Sequence, residues 1–559
     1  MIWRYRLILF LLLFSFIIII ARLFYWQVVK AQELYLLGQS QYGKTIKIIP
    51  QRGEIRTSDG FPIVSNKISF LLFANPKEVR NKNSTIKRLL SVVDLDESSA
   101  SAQLSLDRFW VPLKSGLSIE EKDKIDKLKL PGIGFEKHYV RYYPEASMAA
   151  HLVGFVGKNE VGQDKGYFGL EGYYDRLLKG KEGEAVQIHD AIGRTILAQA
   201  NENTKEIDGS SLVLNIDRSI QFMVEEKLKE GLDKYGASAV TAAILEPKTG
   251  NIIAIASFPS FSPSYYQKYS EDIYKNLFIS SLYEPGSTFK PLVMSSAFDA
   301  GVVKPETKCP ICGGPYSIGG YEIHTWNNKY YKDINMIEVI QYSDNVGMVY
   351  VAEKLGVDRM IDYISKFGIG ELTGIDLQGE TAHSLPHKNI WYPVDLATKG
   401  FGQGITLTPI ELLSGFSAIA NKGIRMEPHV VSEIITADGK KIHIKPKELG
   451  RPISEPTARV MTELLVNAVK KGEAAWTAPK GYRVAGKTGT ASIPIKGHYD
   501  PNQTIASFIG FAPADDPKFS MLVIVDRPTT SIYGAETAAP IFFQIAKNLL
   551  LYYGIAPSE

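Results

Sequence analysis

The sequence predicts an α/β domain with an antiparallel sheet flanked by helices. We expect a mixed α+β region and one N-terminal transmembrane helix to precede this domain. Three observations support the prediction: an apolar run near the start of the chain, strand-like patterns at both ends of the C-terminal two thirds, and a largely helical pattern between them. The 559 residues are too many for one compact core and are enough for about two to four domains.

The first element is the segment 7–21, which is apolar except for a single serine. Together with residues 22–29 it exceeds the roughly 20 residues that cross a bilayer, if Arg22 extends toward the interface. A cleaved signal peptide is the alternative, but the segment lacks a small-x-small cleavage site and is followed by bulky side chains. Arg4 and Arg6 favour a cytoplasmic N-terminus, so we expect the rest of the chain outside the cytoplasm, on the plasma membrane.

Residues 31–210 have a mixed pattern in which we find no catalytic group. Residues 52–55 predict a strand, and Asp59-Gly60 predicts a tight turn after it because this pair accepts positive φ. Ser118 and the acidic residues after it predict an exposed helix to about residue 129. The polar stretch 201–209 is typical of a linker or turn.

The pattern becomes clearer in residues 211–559, where two apolar runs around a turn sequence predict a β-hairpin. Three later apolar runs predict further strands, and two segments predict long helices. The hairpin strands are 240–245 and 252–258, the later strands are 483–492, 504–512 and 519–525, and the helices are 220–235 and 539–553. Because strands come from both ends of this region, we expect one antiparallel sheet that joins them. The chain would then comprise a cytoplasmic tail and anchor (1–30), a non-catalytic region (31–210) and a main domain (211–559).

Composition excludes several classes of function. The formal net charge is +3 and we see no dense Lys/Arg run, which argues against a nucleic-acid partner. The sequence contains no H-E-x-x-H and no G-x-x-x-x-G-K-[ST], so metalloprotease and P-loop chemistry have no support. We therefore expect neither a metal nor a cofactor.

The only cysteines, Cys309 and Cys312, stand in a C-P-I-C sequence. Two thiols cannot form a four-thiolate zinc site. We expect a surface loop in which the two cysteines form a local disulfide or remain free, and an oxidising exterior permits the disulfide. A zinc site completed by His324 and another ligand is the alternative.

Three short motifs stand in order within the main domain: S-x-x-K at 287–290, S-x-N at 343–345 and K-T-G at 487–489. This set is typical of class A β-lactamases and penicillin-binding proteins. A second S-x-x-K at 84–87 has no partner motifs in its region, and a second K-T-G at 248–250 lies in the hairpin turn. We interpret these two as structural.

The motifs predict a serine nucleophile and its base. Ser287 stands at a helix start, and Lys290 follows three residues later on the same face. A serine hydroxyl needs a base to remove its proton, and a lysine can act as that base if burial and the nearby cation of Lys487 lower its pKa. Ser343 can relay a proton to the leaving amine, and the amide of Asn345 can bind a peptide backbone.

The third motif predicts a substrate-binding strand. Lys487 and the hydroxyls of Thr488 and Thr490 suit a terminal carboxylate. Gly489 lets the strand approach the substrate because it has no Cβ. The N–H groups of Ser287 and Thr490 could form an oxyanion hole.

The sequence around these motifs resembles class B penicillin-binding proteins. The runs 283–291, 401–405 and 487–491 are similar to that family's active-site segments, and 52–55 and 169–171 are similar to motifs of its non-catalytic pedestal. The likeness covers nearly the whole chain. It implies a transpeptidase fold like that of penicillin-binding proteins and serine β-lactamases, on a dimerisation-like pedestal.

The resemblance also implies a function. A D,D-transpeptidase would be acylated on Ser287 by a peptidoglycan stem peptide ending in D-Ala-D-Ala and would pass the peptide to an amine, and β-lactams would acylate the same serine. The segments 401–409 and 416–421 are similar to septal and sporulation members, which work at the bacterial inner membrane with a glycan polymerase and other division proteins. An elongation-type enzyme, a β-lactamase or β-lactam sensor, and a catalytically silent division scaffold are the alternatives. The E-x-x-L-N pattern of class A β-lactamases is absent.

Overall fold

The computed structural model describes residues 2–34, 37, 43–189, 195–200, 205–495 and 498–558. The chain forms two compact units. Unit 1 comprises Met1–Arg52, Asn66–Val140 and Lys179–Gly209, and unit 2 comprises Gly53–Ser65, Arg141–Leu178 and Ser210–Glu559. The expected boundaries after residues 30 and 210 stay a prediction, and part of the expected linker, 201–204, lies outside the described residues.

The chain begins with the α-helix Ile2–Phe24, which continues into a π-helical turn, Tyr25–Val29. None of its side chains is buried against the protein. The helix is long and apolar enough to cross a bilayer. The guanidinium of Arg22 lies over the rings of Tyr25 and Trp26, at 5.5 and 5.1 Å from their centroids. Its charge therefore rests against aromatic side chains at the end of the apolar segment.

Unit 1 has its own small apolar core. The core packs residues from its strands and helices, including Leu72, Leu89 and Leu117. Helix Ile119–Asp126 confirms the predicted Ser118 cap, since Ser118 and Glu121 form a reciprocal capping box. The other helices are Lys82–Leu90 and Glu97–Ser105, and the strands are Gly43–Ile48, Val111–Leu117, Gly183–His189, Thr195–Ala200, most of Pro62–Ala74 and most of Ile133–Tyr142.

Unit 2 is built on a five-stranded antiparallel sheet, as the sequence predicts. Its strands are β1 (Ala239–Leu245), β2 (Ile252–Phe258), β3 (Ala485–Ile495), β4 (His498–Ala512) and β5 (Phe519–Asp526). They lie in the order β2-β1-β5-β4-β3, so the predicted hairpin joins strands from the end of the chain. The strand β3, which carries the K-T-G motif, lies at one edge of the sheet.

Helices cover both faces of this sheet. Alternate residues of β4 point to opposite faces, so Phe508 packs with Phe542 and Phe543 in one core, whereas Ile509 joins the larger second core. The helices used below are α1 (Arg218–Tyr235), α2 (Lys290–Asp299), α3 (Asn345–Leu355), α4 (Pro409–Ala420), α5 (Glu455–Lys471) and α6 (Ala538–Tyr552). Helix α1 ends at Gly236, whose left-handed backbone provides the predicted stop.

Shorter elements complete unit 2. The α-helices are Ala150–Val153, Gly169–Tyr173, Asp175–Leu178, Leu277–Ser280, Met336–Gln341, Val357–Lys366 and Pro393–Lys399; the 3₁₀-helices are Pro263–Lys268, Glu271–Tyr274, Gly286–Phe289 and Lys388–Ile390; the strands are Ile55–Arg56, Phe155–Lys158, Asp164–Tyr167, Ser211–Leu214, Tyr316–Ile318, Tyr321–Ile323, Arg425–Met426, Val431–Ile435, Lys441–His443 and Glu448–Gly450.

Cys309 and Cys312 form a disulfide. Both side chains are fully buried, but they lie beneath a loop whose residues Lys308, Pro310 and Gly313 are exposed, so the expected surface loop with a local disulfide is confirmed. Their loop packs into the larger core, where the N–H of Cys309 donates to the carbonyl of Ile334. The bond consumes both thiols, and the described residues contain no group of side chains suited to a metal ion.

Candidate active site

Ser287 lies in a tight turn at the start of α2. Gly286 has a left-handed φ of +55°, which a residue without a Cβ adopts at low cost, and a 3₁₀ turn follows over Gly286–Phe289. The N–H of Gly286 donates to the carbonyl of Gly402 at 2.9 Å. The hydroxyl of Thr288 donates to the carbonyl of Pro285 at 2.7 Å. These bonds fix the turn and leave Ser287 partly exposed. Gly402, in the segment 401–405, thus supports the turn that carries Ser287.

Lys290 follows Ser287 by three residues, which is one turn of a 3₁₀-helix, so the two side chains project to the same side. Lys290 is completely buried. Its Nζ lies 2.7 Å from the carbonyl oxygen of Ser343, 3.3 Å from the Ser343 hydroxyl and 2.8 Å from Oδ1 of Asn345. Burial, and secondly the charge of Lys487, hold the pKa of Lys290 well below its ordinary value.

The protonation of Lys290 decides what these contacts do. A neutral amine has two N–H groups and one lone pair. It can donate to the Ser343 carbonyl and to Asn345 while its lone pair faces a hydroxyl. The arrangement therefore suits a base that exchanges protons with a neighbouring serine.

The S-x-N motif lies in the turn that starts α3. Ser343 has a left-handed φ of +56°, which is uncommon for a residue with a Cβ. Asp344 caps α3 by accepting from the N–H of Gly347 at 2.8 Å. Asn345 donates from Nδ2 to the carbonyl of His324 at 3.0 Å, which orients its amide and aims Oδ1 at Lys290.

The third motif brings a second buried cation to the site. Lys487 on β3 is only 3% exposed, and its Nζ lies 3.2 Å from the carbonyl oxygen and 3.1 Å from the hydroxyl of Thr488. Burial lowers the pKa of Lys487, and the carboxylate of Glu473 opposes this shift. The hydroxyl of Thr488 donates to Oε2 of Glu473 at 3.0 Å.

Gly489 lies where β3 passes the Ser287 turn. A Cβ at this position would overlap the hydroxyl of Ser507 and would come within 2.7 Å of Cγ2 of Thr288. Thr490 follows, and its hydroxyl accepts from the N–H of Gly534 at 3.1 Å. The hydroxyl proton of Thr490 therefore remains able to donate to a ligand. As an edge strand, β3 also keeps one side available for pairing with an extended peptide.

The structure thus brings the three motifs together. Lys290, Ser343 and Asn345 share hydrogen bonds, Lys487 acts on Lys290 through its charge, and Gly489 packs beside the turn of Ser287. The second copies of the motifs lie elsewhere: Ser84 is in helix Lys82–Leu90 of unit 1, and Lys248 is in the β1–β2 turn, where it pairs with Asp516 at 2.6 Å.

Sequence reasoning missed two residues of this group. Glu473 follows α5, and no motif marks it, although it contacts the K-T-G threonine. Asp344 was recognised only as the middle of S-x-N, yet it is buried and its charge acts on Lys290. An aspartate before an apolar helix is a local signal for the N-cap that Asp344 forms, whereas its effect on Lys290 depends on the tertiary fold.

Comparison with known proteins identifies the family that the chain matches. The penicillin-binding protein transpeptidase domain matches residues 240–547, and the penicillin-binding protein dimerisation domain matches residues 47–214. The chain is 34% identical to stage V sporulation protein D of Bacillus subtilis, over 99% of this chain and 86% of that protein. It is 29% identical to the peptidoglycan D,D-transpeptidase FtsI of Escherichia coli, over 99% of this chain and 92% of that protein. The fold is similar to that of penicillin-binding protein 2X from Streptococcus thermophilus, with a TM-score of 0.76, 23% identity, and coverage of 91% of this chain and 80% of that one.

Proposed function

Since the chain belongs to the penicillin-binding protein transpeptidases of class B, we propose that it cross-links peptidoglycan as a septal-type D,D-transpeptidase through an acyl-enzyme on Ser287. The relatives that are named peptidoglycan D,D-transpeptidases favour this function over the elongation, β-lactamase, sensor and scaffold alternatives. The observation that carries the proposed mechanism is the buried Lys290, which contacts Ser343 and Asn345 beside the cation of Lys487.

The first half-reaction forms the acyl-enzyme. The Ser287 oxygen attacks the carbonyl carbon of the penultimate D-Ala, and Lys290 takes the hydroxyl proton. The N–H groups of Ser287 and Thr490 stabilise the negative oxygen of the tetrahedral intermediate. The carbon–nitrogen bond then breaks, and the departing D-Ala nitrogen receives a proton through the Ser343 hydroxyl, which is resupplied from Lys290.

The second half-reaction is the same sequence in reverse with a different amine. The acceptor amine attacks the ester carbon, gives up a proton to the Ser343–Lys290 pair and forms the new amide. The Ser287 oxygen leaves and regains its proton from Lys290. No net proton or electron is gained or lost by the enzyme.

Substrate binding is assigned to the edge of the sheet. Lys487 and the hydroxyls of Thr488 and Thr490 bind the terminal carboxylate, and Asn345 binds the peptide backbone. The backbone of the substrate peptide pairs with β3 near Gly489 and so adds one strand to the sheet. The Thr488 proton is engaged with Glu473 in the unliganded arrangement, so a carboxylate must compete for it.

The location and partners follow the same proposal. Residues 1–30 form a short cytoplasmic tail and a single-pass anchor in the plasma membrane, 31–210 form the pedestal, and 211–559 form the extracytoplasmic transpeptidase domain. A membrane-embedded glycan polymerase and other division proteins are the expected partners. The apolar helix Ile2–Phe24 and the match of 47–214 to a dimerisation domain support this organisation.

The proposal is tested by following the peptide. The full chain in membranes is mixed with a stem pentapeptide that ends in D-Ala-D-Ala and with an amine acceptor, and the products are measured by mass spectrometry. We expect equal amounts of released D-Ala and amide-linked product, and neither with Ser287→Ala. Release of D-Ala with only the hydrolysed peptide would make the chain a carboxypeptidase.

A further inference from the structure

Glu473 is a partly buried acid that no motif of the active site includes. It follows α5 and Gly472, whose N–H closes the helix by donating to the carbonyl of Ala468 at 3.0 Å. One carboxylate oxygen, Oε2, accepts the hydroxyl proton of Thr488. The other, Oε1, is buried and has no hydrogen-bond partner among the described residues. Such an oxygen costs free energy, so a compensating electrostatic role is needed to explain it.

The charge of this carboxylate acts on two buried lysines. Lys290 and Lys487 would be costly as cations without an opposite charge. Within the described part of the chain, Asp344 and Glu473 are the carboxylates that act on Lys290, and Glu473 is the one that acts on Lys487. The hydroxyl of Thr488 lies between the two groups, because it accepts from Lys487 and donates to Glu473.

We infer that Glu473 is a positioning residue that acts through Thr488, supplying the counter-charge of Lys487 and fixing the Lys487–Thr488 pair that receives the substrate carboxylate. This inference rests on the proposed function. It assigns Glu473 no contact with the substrate.

The sign of its electrostatic effect is defined. A negative charge near a lysine favours the protonated form, so Glu473 raises the pKa of Lys487 and of Lys290 above the values that burial alone would give. Removal of the charge lowers both. Binding of the substrate carboxylate requires protonated Lys487. Without the charge of Glu473, carboxylate binding is therefore lost at a lower pH than in the native chain. Proton removal from Ser287 requires neutral Lys290. Without the charge of Glu473, Lys290 stays neutral to a lower pH, so activity also extends to a lower pH than in the native chain.

Other titratable groups face this cluster. Burial raises the pKa of Asp344 at the start of α3. His324 contacts Asn345 through its backbone carbonyl, and its ring is exposed to solvent. Both groups are present in the native chain and in a Glu473 variant, so the two proteins differ in the charge of residue 473 alone.

The test measures the second-order rate constant for acylation by a labelled penicillin from about pH 5 to pH 10, with the full chain in detergent. Glu473→Gln keeps the shape and the acceptor for Thr488 but removes the charge. We expect both limbs of the pH profile to move down by about one pH unit. Glu463→Gln is the matched control, because Glu463 lies on the exposed face of α5 and pairs with Arg483, and its limbs should not move.

The outcomes separate this inference from the proposed function. Limbs that stay in place in a folded, acylated Glu473→Gln protein would overturn the inference and leave the transpeptidase proposal intact. A native chain that takes no label would contradict the proposed function instead. If Glu473→Gln does not fold, Glu473→Asp moves the carboxylate away from Thr488, and a smaller downward shift is expected; an unmoved profile would overturn the inference.

Discussion

At the scale of single residues, the proposed chemistry depends on keeping the amine of Lys290 neutral in a buried site. Lys290 has no solvent exposure and lies near a second buried lysine, so its protonated form is disfavoured by burial and by the charge of Lys487. Its hydrogen bonds to the S-x-N turn hold the nitrogen in place. A base with these properties is available at a pH where an ordinary lysine is protonated.

Lys290→Arg tests this role. Arginine keeps the cation and cannot lose its proton, so it cannot act as the base. We expect the acylation rate constant to fall by about 10²- to 10⁴-fold. The measurement is the rate of labelling with a penicillin, and Lys366→Arg, on an exposed helix face, should label at the native rate.

In the native chain, the rate of labelling should rise with pH well below 10.5, because deprotonated Lys290 is the active form in the proposed mechanism. A rate unaffected by pH or by the Lys290→Arg substitution would assign the base elsewhere.

The sequence identified the three motifs that the structure brings together, because their order, spacing and residue types are those that the proposed reaction requires. Glu473 could not be predicted from sequence, because it precedes Lys487 by 14 residues and reaches Thr488 only through the turn after α5. No local pattern specifies such a contact. The left-handed backbone of Ser343 was equally hidden, since serine has no preference for that conformation.

At the scale of elements, the proposed active site depends on how closely β3 passes the turn before α2. The approach is possible because Gly489 has no Cβ: its neighbours there, Thr288 and Ser507, are themselves buried and cannot move away easily. The strand therefore packs closely against the turn that carries Ser287, and its pairing with β4 holds it in the sheet.

Gly489→Ala should push the strand and the turn apart. The added methyl group meets Thr288 and Ser507, and overpacking of this kind costs about 1–3 kcal/mol. We expect a lower melting temperature and a loss of acylation of about tenfold or more, since a displacement near 1 Å at a reacting group has large effects. Thermal unfolding and penicillin labelling measure both. Gly314→Ala, where a Cβ would meet nothing within 4 Å, is the control. Native labelling by Gly489→Ala would show that this approach is not needed.

The secondary structure of the sheet domain could be predicted because strong local signals coincide with it. Apolar runs bounded by turn residues became β1 to β5, and the stop at Gly236 became a left-handed helix end. The short helices around the site carry no such signal. Their positions depend on capping and on packing against the larger core.

At the scale of the whole molecule, the chain combines a membrane-type helix with two compact units. The sequence predicted the sheet that joins both ends of the main domain, because its strands were visible at each end. It did not predict that Gly53–Ser65 and Arg141–Leu178 belong to unit 2, since that assignment depends on contacts between residues far apart in sequence.

Removal of residues 2–29 tests the anchor. None of the side chains of this helix is buried against the protein, so its loss should leave both cores intact. We expect the shortened chain to move from the membrane fraction to the soluble fraction after cell lysis and to keep its rate of penicillin labelling. Fractionation followed by labelling measures both properties. A shortened chain that remains in the membrane after a carbonate wash would show that another segment binds the lipid.

The central claim is that Ser287 forms a long-lived acyl-enzyme. The most direct measurement exposes the full chain in detergent to a penicillin and reads the intact mass over time, with Ser287→Ala in parallel. We predict one adduct on the native chain, stable for minutes or longer, and none on the variant. An adduct that disappears within seconds while penicillin is consumed would make the chain a β-lactamase, and an adduct that persists on Ser287→Ala would contradict the assignment of the nucleophile.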